Sequence, residues 1–144
     1  MQLRHILANK GHAVHSIRAN ASLDDVVKQL VQHNIGSLVV VDPAWPSRMQ
    51  GIITERDILR ALAHMHTPLH LLEVADCMTR DVIAGGLNDT VEEAMHLMTA
   101  HRVRHLPVVE GTELVGMISI GDLVKNQCEE LTLENHYLKS YIHG

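Results

Sequence analysis

Gly51-Ile52-Ile53-Thr54-Glu55-Arg56-Asp57-Ile58 is the stretch of this chain that decides its fold, because its pattern returns as Gly116-Met117-Ile118-Ser119-Ile120-Gly121-Asp122-Leu123. Each copy has a glycine, a short apolar strand end, a hydroxyl residue, two variable positions and an aspartate that opens an amphipathic helix. This spacing is typical of a helix-capping box, in which the hydroxyl and the carboxylate each accept a backbone N–H. A strand that runs into a helix N-terminus beside a hydroxyl also suits a phosphate, and the two interpretations are compatible.

The duplication extends over most of the chain. Positions before the predicted hairpin turn recur 68 residues later and positions after it recur 65 residues later: Val26/Ala94, Leu30/Met98, Leu38/Leu106, Gly51/Gly116 and Asp57/Asp122. The three missing residues fall in the turn between two paired strands, where deletions are well tolerated. One unit of three strands and two helices leaves an apolar sheet face uncovered, so two units are expected to pack about a pseudo-twofold axis.

The predicted elements follow the same order in both units. The first unit has a short helix, a strand, a helix that begins with a Ser22 capping box, a strand, a turn, a strand and a helix: 3–8, 14–17, 22–34, 37–41, 42–47, 49–53 and 57–64. The second has a helical turn, a strand, a helix that begins with a Thr90 capping box, a strand, a tight turn and a strand: 74–78, 82–83, 90–98, 106–109, 110–112 and 114–118.

The predicted fold class is α/β (α+β), with two β-α-β-β-α repeats about a pseudo-twofold axis and a C-terminal helical extension. The predicted domains are residues 1–64 for the first repeat, 65–73 for a connector, 74–127 for the second repeat and 128–144 for the extension.

The composition argues against several classes of protein. With 144 residues, 46% of them hydrophobic and 20% charged, the chain can bury a core. A net charge of −5 argues against nucleic acid as a partner, because phosphate contacts call for a basic face. No apolar run approaches the roughly 20 residues of a bilayer span, and the start lacks the apolar middle of a signal peptide. We therefore expect a cytoplasmic protein that does not enter a membrane.

The pattern gives no support to catalysis or metal binding. The two cysteines are too few and too isolated for a disulfide framework or a thiolate site. The twelve histidines are scattered, and close pairs such as His12 and His15 lack further ligands nearby. No nucleophile-base or paired-carboxylate signature occurs, so we expect no enzyme activity, no metal site and no catalytic cofactor.

Taken together, these stretches resemble a tandem pair of CBS domains, a Bateman module, of the small stand-alone bacterial type. The resemblance covers about Leu3 to Gln127 and rests on the β-α-β-β-α order, on Asp76-Cys77-Met78-Thr79, on Arg104-His105-Leu106-Pro107-Val108-Val109 and on the two Gly-h-x-Ser/Thr-x-x-Asp stretches. It implies that an adenine nucleotide binds between the repeats: AMP, ADP, ATP, or a related ligand such as NAD or S-adenosylmethionine.

The resemblance also implies roles for particular residues. The Ser or Thr would meet phosphate and the Asp would accept both ribose hydroxyls, which gives a Thr54 site with Asp57 and a Ser119 site with Asp122. Residues at the strand entries of the opposite repeat would contact the base. They are Val82, Ile83 and Val103 for the Thr54 site, and Val14, His15, Ile35 and Gly36 for the Ser119 site.

The two predicted sites differ in charge. The second-strand entry is basic in the second repeat, Arg102–His105, and uncharged in the first, Asn34–Gly36. Phosphate is therefore predicted to be held best where Arg104 and His105 can reach it, at the Ser119 site. The alternative for Arg104 is a structural ion pair with Glu110 or Glu113.

The C-terminal extension predicts a dimer contact. A helix from about Asp122 to Tyr141 has one seam at 4-3-4-3-4 spacing: Val124, Cys128, Leu131, Asn135, Leu138 and Ile142. Asn135 occupies an a-type position, where it would fix the register of a parallel two-stranded coil. The alternative is that this seam packs on the body of its own chain.

We expect a homodimeric regulatory module that binds its ligand without turnover and passes occupancy to a regulated protein by a conformational change. The alternative is a structural or interaction module with vestigial ligand sites, which dimerises through the C-terminal helix.

Overall fold

The computed structural model describes the backbone of residues 1–143 and the side chains of residues 1–140. The first half contains α1 (Leu3–Lys10), β1 (Ser16–Arg18), α2 (Leu23–His33), β2 (Ser37–Asp42), β3 (Trp45–Thr54) and α3 (Glu55–His64). A 3₁₀ turn, Leu69–Leu71, leads into the second half. That half contains α4 (Val74–Cys77), β4 (Gly85–Gly86), α5 (Val91–His101), β5 (His105–Glu110), β6 (Glu113–Ser119) and α6 (Ile120–His143). Among the residues described, no helix has both the length and the apolar character that a bilayer crossing needs.

The two halves repeat one topology, as predicted. Each forms a three-stranded sheet in which the first strand runs parallel to the second and the second runs antiparallel to the third: β1-β2-β3 and β4-β5-β6. The predicted helix starts are also confirmed, since Ser22 accepts a hydrogen bond from Asp25 N and Thr90 accepts one from Glu93 N. The mixed α and β fold with a C-terminal helix is therefore the predicted one.

Two predicted elements are wrong. The turn predicted over 42–47 is confined to Pro43 and Ala44, and β3 already begins at Trp45, opposite Asp42. Pro46 is compatible with a strand here because β3 lies at the edge of its sheet, where a missing N–H donor is tolerated.

The strand predicted at Val82 and Ile83 lies instead at Gly85 and Gly86, opposite Val108 and Val109. The strand at this place needs a residue without a side chain, because a Cβ on Gly85 would lie 2.9 Å from Leu106 Cδ2. Two glycines have no strand propensity of their own, so propensity pointed to the neighbouring apolar pair.

Each half packs the leading helix of the other into its core. Leu3, Ile6 and Leu7 of α1 are buried with residues of α5, β5 and β6 from the second half. Val74 of α4 is buried with residues of α2, β2 and α3 from the first half. Through this exchange each half of the chain contributes a helix to the hydrophobic core of the other.

Backbone hydrogen bonds fix the exchange in both halves. Leu3 N donates to Asp89 O at 2.9 Å, and Val74 N donates to Ala21 O at 2.9 Å. The bridge between Gln2 and Thr90 has its counterpart in the bridge between Ser22 and Glu73. The starts of α1 and α4 are thereby held against the opposite repeat.

The glycines of the repeated stretch make room for these exchanged segments. A Cβ on Gly51 would lie 2.6 Å from Thr79 O, and a Cβ on Gly116 would lie 2.7 Å from Leu7 Cδ2. Ile52 and Thr79 exchange two backbone hydrogen bonds at 2.9 and 2.8 Å, so Thr79 cannot easily move away. The first residue of the stretch is therefore glycine for a steric reason.

Gly51→Ala is expected to destabilise the fold by about 2 kcal/mol, because the new methyl group overlaps a hydrogen-bonded carbonyl. Urea unfolding measures the change. Gly121→Ala is the matched control, since its Cβ would meet only Ser119 Oγ at 3.6 Å inside α6 and should leave stability equal or higher. Equal stability of the two variants would contradict the steric role of Gly51.

Candidate functional site

Both Ser/Thr-x-x-Asp stretches form the predicted capping boxes. At the start of α3, Thr54 Oγ1 accepts from Asp57 N at 3.2 Å while Asp57 Oδ2 accepts from Thr54 N at 3.0 Å. At the start of α6, Ser119 Oγ accepts from Asp122 N at 3.1 Å while Asp122 Oδ2 accepts from Ser119 N at 2.8 Å. The two carboxylates have the same local geometry, so differences between the sites come from what surrounds them.

The carboxylate of Asp57 is closed off by neutral donors. It is 6% exposed and accepts a hydrogen bond from Thr79 Oγ1 at 3.2 Å and another from Thr54 Oγ1 at 3.1 Å. The guanidinium of Arg60 lies at the outer limit of an ion pair, 3.9 Å from Oδ1. A ligand at the Thr54 site would therefore have to break bonds that are already satisfied within the protein.

The carboxylate of Asp122 is held by a cation instead. Its side chain is 24% exposed, and Oδ2 lies 2.6 Å from Lys10 Nζ. The same ammonium donates to Met117 O at 2.7 Å. Burial acts to raise the pKa of Asp122, but hydrogen bonds from Lys10 and Ser119 outweigh it and the pKa is lowered. The Ser119 site thus presents an ionised and partly accessible carboxylate.

The inequality of the two sites follows from the exchanged helices. Lys10 ends α1 and Thr79 follows α4, so each acid of the repeated stretch receives its partner from the segment that crosses over. In the 68-residue register Lys10 corresponds to Met78, and Thr79 corresponds to Gly11. The two sites therefore receive different residues at corresponding positions, and a substitution of Lys10 or of Thr79 changes one site and leaves the other unchanged.

Residues of both repeats meet where the second strands begin. A Cβ on Gly36 would lie 3.0 Å from His105 Cε1 and 3.6 Å from Glu55 Oε1. Equivalent backbone bonds, Glu55 N to Gly36 O at 3.1 Å and Ile120 N to Arg104 O at 2.9 Å, hold the two helix starts to these strands. The predicted residues Gly36, Arg104 and His105 are thus brought to the start of α3 or of α6.

His105 lies in a crowded electrostatic environment. Burial lowers its pKa most, and the nearby positive charges of Lys10 and Arg104 lower it further against the opposing effect of Glu55 and Asp122. The imidazole is therefore biased towards its neutral form. Its contribution to stability is full above the pKa of the unfolded residue and is lost as the pH falls towards the lowered pKa of the folded one.

Arg104 is exposed, and among the described residues no ion pair within 4.0 Å joins it to Glu110 or Glu113. The structural ion-pair alternative is therefore wrong. Its backbone carbonyl accepts from Ile120 N at 2.9 Å at the start of α6, and its positive charge acts on the neighbouring His105.

The predicted base-contacting residues have mixed surroundings. Ile83 and Val103 pack against the core of the second repeat, and Ile35 packs against that of the first. The imidazole of His15 stacks on that of His33 with ring centroids 4.1 Å apart. Val14 and Val82 are half-buried. Contact of these residues with a base stays a prediction.

Sequence reasoning missed Lys10 as a site residue and gave Thr79 no role at the Thr54 site. Lys10 stands before Gly11, which ends α1 with a φ of 102°, and a lysine in that place is common merely because it complements the helix dipole. No pattern within one repeat could reveal that α1 delivers it to the other. In the part of the chain with described side chains, no group of three or more His, Cys, Asp or Glu residues is placed to hold a metal ion.

The seam predicted on the C-terminal helix is exposed. Val124, Leu131 and Leu138 retain 47%, 59% and 59% of their accessible surface. The alternative that this seam packs on the body of its own chain is therefore wrong for these three residues. Cys128 and Asn135 are also exposed, and the side chain of Ile142 lies outside the described residues.

Lys10→Met is expected to raise the pKa of His105 towards its ordinary value, because one of the positive charges that lower it is removed. Imidazole NMR titration measures the shift, and the spectrum of His105→Gln identifies the signal. Lys28→Met is the control, since Lys28 forms an exposed ion pair with Asp24 at 3.0 Å. An unchanged pKa in Lys10→Met would contradict this electrostatic environment.

Comparison with known proteins agrees with this architecture. The family model described as the CBS domain matches residues 10–64 and 74–129. A mitochondrial CBS domain-containing protein of Arabidopsis thaliana is 41% identical over 122 residues, and the match covers 83% of this chain and 59% of that protein's length. The solved structure of a CBS-domain containing protein from Agrobacterium tumefaciens is 35% identical, with a TM-score of 0.82 over 88% of this chain and 99% of the other. A CBS domain protein from Pyrobaculum aerophilum, complexed with AMP, is 28% identical, with a TM-score of 0.75 over 85% and 89% of the two chains. The chain therefore belongs to the CBS-domain family and carries two CBS domains.

Proposed function

We propose that this protein is a non-catalytic regulatory module that binds an adenine nucleotide in the Ser119 site. The observation that carries the proposal is the ionised, partly accessible carboxylate of Asp122 beside Ser119 at the start of α6. The family supports it, because a pair of CBS domains is a regulatory module. A relative of 28% identity is complexed with AMP, which makes AMP the first ligand to test.

The chemistry of the Ser119 site suits a nucleotide. The carboxylate of Asp122 can accept both hydroxyls of a ribose, which a deoxyribose or a 2′-phosphate cannot satisfy. The start of α6 offers a partial positive charge and the Ser119 hydroxyl to a phosphate, and Arg104 supplies a full positive charge nearby. ADP, ATP or NAD would place the same adenosine in the site and extend further phosphates towards solvent.

The Thr54 site is proposed to bind more weakly or to remain empty. Asp57 is buried and its oxygens already accept bonds from Thr54 and Thr79. A ribose would gain little there, because each new hydrogen bond would replace an existing one.

A ligand in the Ser119 site can transmit a signal because the site is made by both repeats. Lys10 comes from the helix that starts the chain, whereas Ser119, Asp122 and Arg104 come from the second repeat. Occupancy that changes the contact of Lys10 with Asp122 would bias the angle between α1 and α6, and a regulated protein could read that change.

We also propose that two copies associate through α6. Its seam leaves Leu131 and Leu138 exposed to water, and pairing with a second α6 would bury both. A structural module that dimerises in this way but has vestigial ligand sites is the second candidate, and the closure of Asp57 is the observation that favours it.

AMP at about 100 times its dissociation constant is expected to raise the free energy of unfolding by about 2.7 kcal/mol. Thermal shift measures the effect within a panel of adenine and guanine nucleotides. Asp122→Asn should abolish the shift, because the amide presents a donor to the ribose. Asp57→Asn, compared with its own ligand-free midpoint, should retain it. If no nucleotide shifts the wild-type midpoint, the vestigial-site module replaces the nucleotide sensor.

The double substitution Leu131→Glu and Leu138→Glu is expected to convert a dimer of twice 16.0 kDa to a monomer, because four charges would face one another in the seam. Light scattering coupled to size exclusion measures the mass. Trp45→Glu, at an exposed position on the β3 hairpin, serves as the control and should stay dimeric. A double variant that remains dimeric would place the interface elsewhere.

A further inference from the structure

We infer that Lys10 acts as a charge latch on Asp122 and makes the Ser119 site selective for phosphorylated nucleosides over the corresponding neutral nucleosides. The inference rests on the proposed function and names a selectivity residue for it. Its basis is the pair of contacts made by the Lys10 ammonium, 2.6 Å to Asp122 Oδ2 and 2.7 Å to Met117 O.

The Lys10 ammonium occupies an oxygen of the Asp122 carboxylate that would accept a ribose hydroxyl. Asp122 Oδ2 receives both the Lys10 ammonium and the amide of Ser119. Because the amide belongs to the cap of α6, the ammonium is the partner that a ligand can displace without opening the helix. A ribose whose two hydroxyls bind both oxygens of the Asp122 carboxylate must therefore compete with Lys10 at Oδ2.

Displacing the ammonium has a cost that depends on the ligand. The side chains of Lys10 and Asp122 are 35% and 24% exposed, so the pair is partly shielded from water and its loss is not fully compensated by solvent. Adenosine offers only neutral donors and acceptors in return. A phosphate placed at the start of α6 offers the displaced ammonium a new anionic partner.

The Thr54 site serves as an internal comparison. There Thr79 Oγ1 fills the role of Lys10 with a neutral hydroxyl, 3.2 Å from Asp57 Oδ1. A neutral hydroxyl that moves from a carboxylate to a phosphate forms no ion pair. The proposed selectivity for phosphorylated nucleosides therefore applies to the Ser119 site alone. The guanidinium of Arg60 on α3 is 64% exposed and lies 3.9 Å from Asp57 Oδ1, too far and too solvated to act as such a partner.

The test is calorimetric titration of the full chain with AMP and with adenosine. Wild type is expected to bind AMP more tightly than adenosine, and Lys10→Met should reduce that affinity ratio about tenfold. The reduction should come from weaker AMP binding, while adenosine binds at least as tightly because no ammonium has to move. Lys10→Arg should keep most of the ratio because it keeps the charge, and Lys28→Met should keep all of it.

The outcomes separate the latch from the proposed function. If wild type binds AMP and Lys10→Met leaves the ratio between AMP and adenosine unchanged, the latch is overturned and nucleotide binding stands. If wild type binds neither compound, both are overturned. If Lys10→Met fails to fold, both affinities fall together and its melting curve reveals the loss. The affinity ratio between AMP and adenosine is then measured for Lys10→Gln. A ratio equal to that of wild type overturns the latch, and a lower ratio supports it.

Discussion

The close approach of an exchanged helix to the opposite sheet is the constraint on which the rest of this structure depends. Thr79 O lies 2.6 Å from the position that a Cβ of residue 51 would take, and Leu7 Cδ2 lies 2.7 Å from that of residue 116. Glycine at both positions lets the segment after α4 reach the start of α3 and lets the end of α1 reach the start of α6. Without that approach, neither Asp57 nor Asp122 would meet a residue from the other end of the chain.

This constraint also makes the two capping boxes differ in their surroundings. The same capping box gives each site a carboxylate of fixed orientation, and the exchanged segment then decides what that carboxylate can do. A threonine hydroxyl closes it at Asp57, and a lysine ammonium leaves it charged and reachable at Asp122. A difference in the crossing segments thus gives two helix starts with the same capping box different electrostatic surroundings.

The duplicated fold could be predicted from sequence because its signals are local. Capping residues, helical periodicity and a constant register survive in both copies, and even the left-handed helix ends at Asn34 and Arg102 fall at equivalent positions. The double glycine strand at Gly85 could not be predicted, because its pairing is set by the space beside Leu106 and not by propensity.

The candidate site was predictable only in part. Ser119 and Asp122 could be predicted from their spacing. The basic residues Arg104 and His105 at the second-strand entry indicated which of the two sites is the more strongly charged. Lys10 could not be found in this way, since 112 positions separate it from Asp122 and only the exchange of helices joins them. The residue that sets the electrostatics of the site is thus supplied by tertiary structure.

An amide NMR titration of the protein with AMP tests the central claim most directly. The claim is that, of the two sites at corresponding positions in the repeats, the Ser119 site is the one that binds the nucleotide. The account predicts that the amide signals of Ser119, Ile120 and Asp122 shift first and saturate with a single affinity, while those of Thr54 and Asp57 stay in place or move only at higher AMP concentrations. Shifts centred on Thr54 and Asp57, or equal shifts at both helix starts, would contradict it.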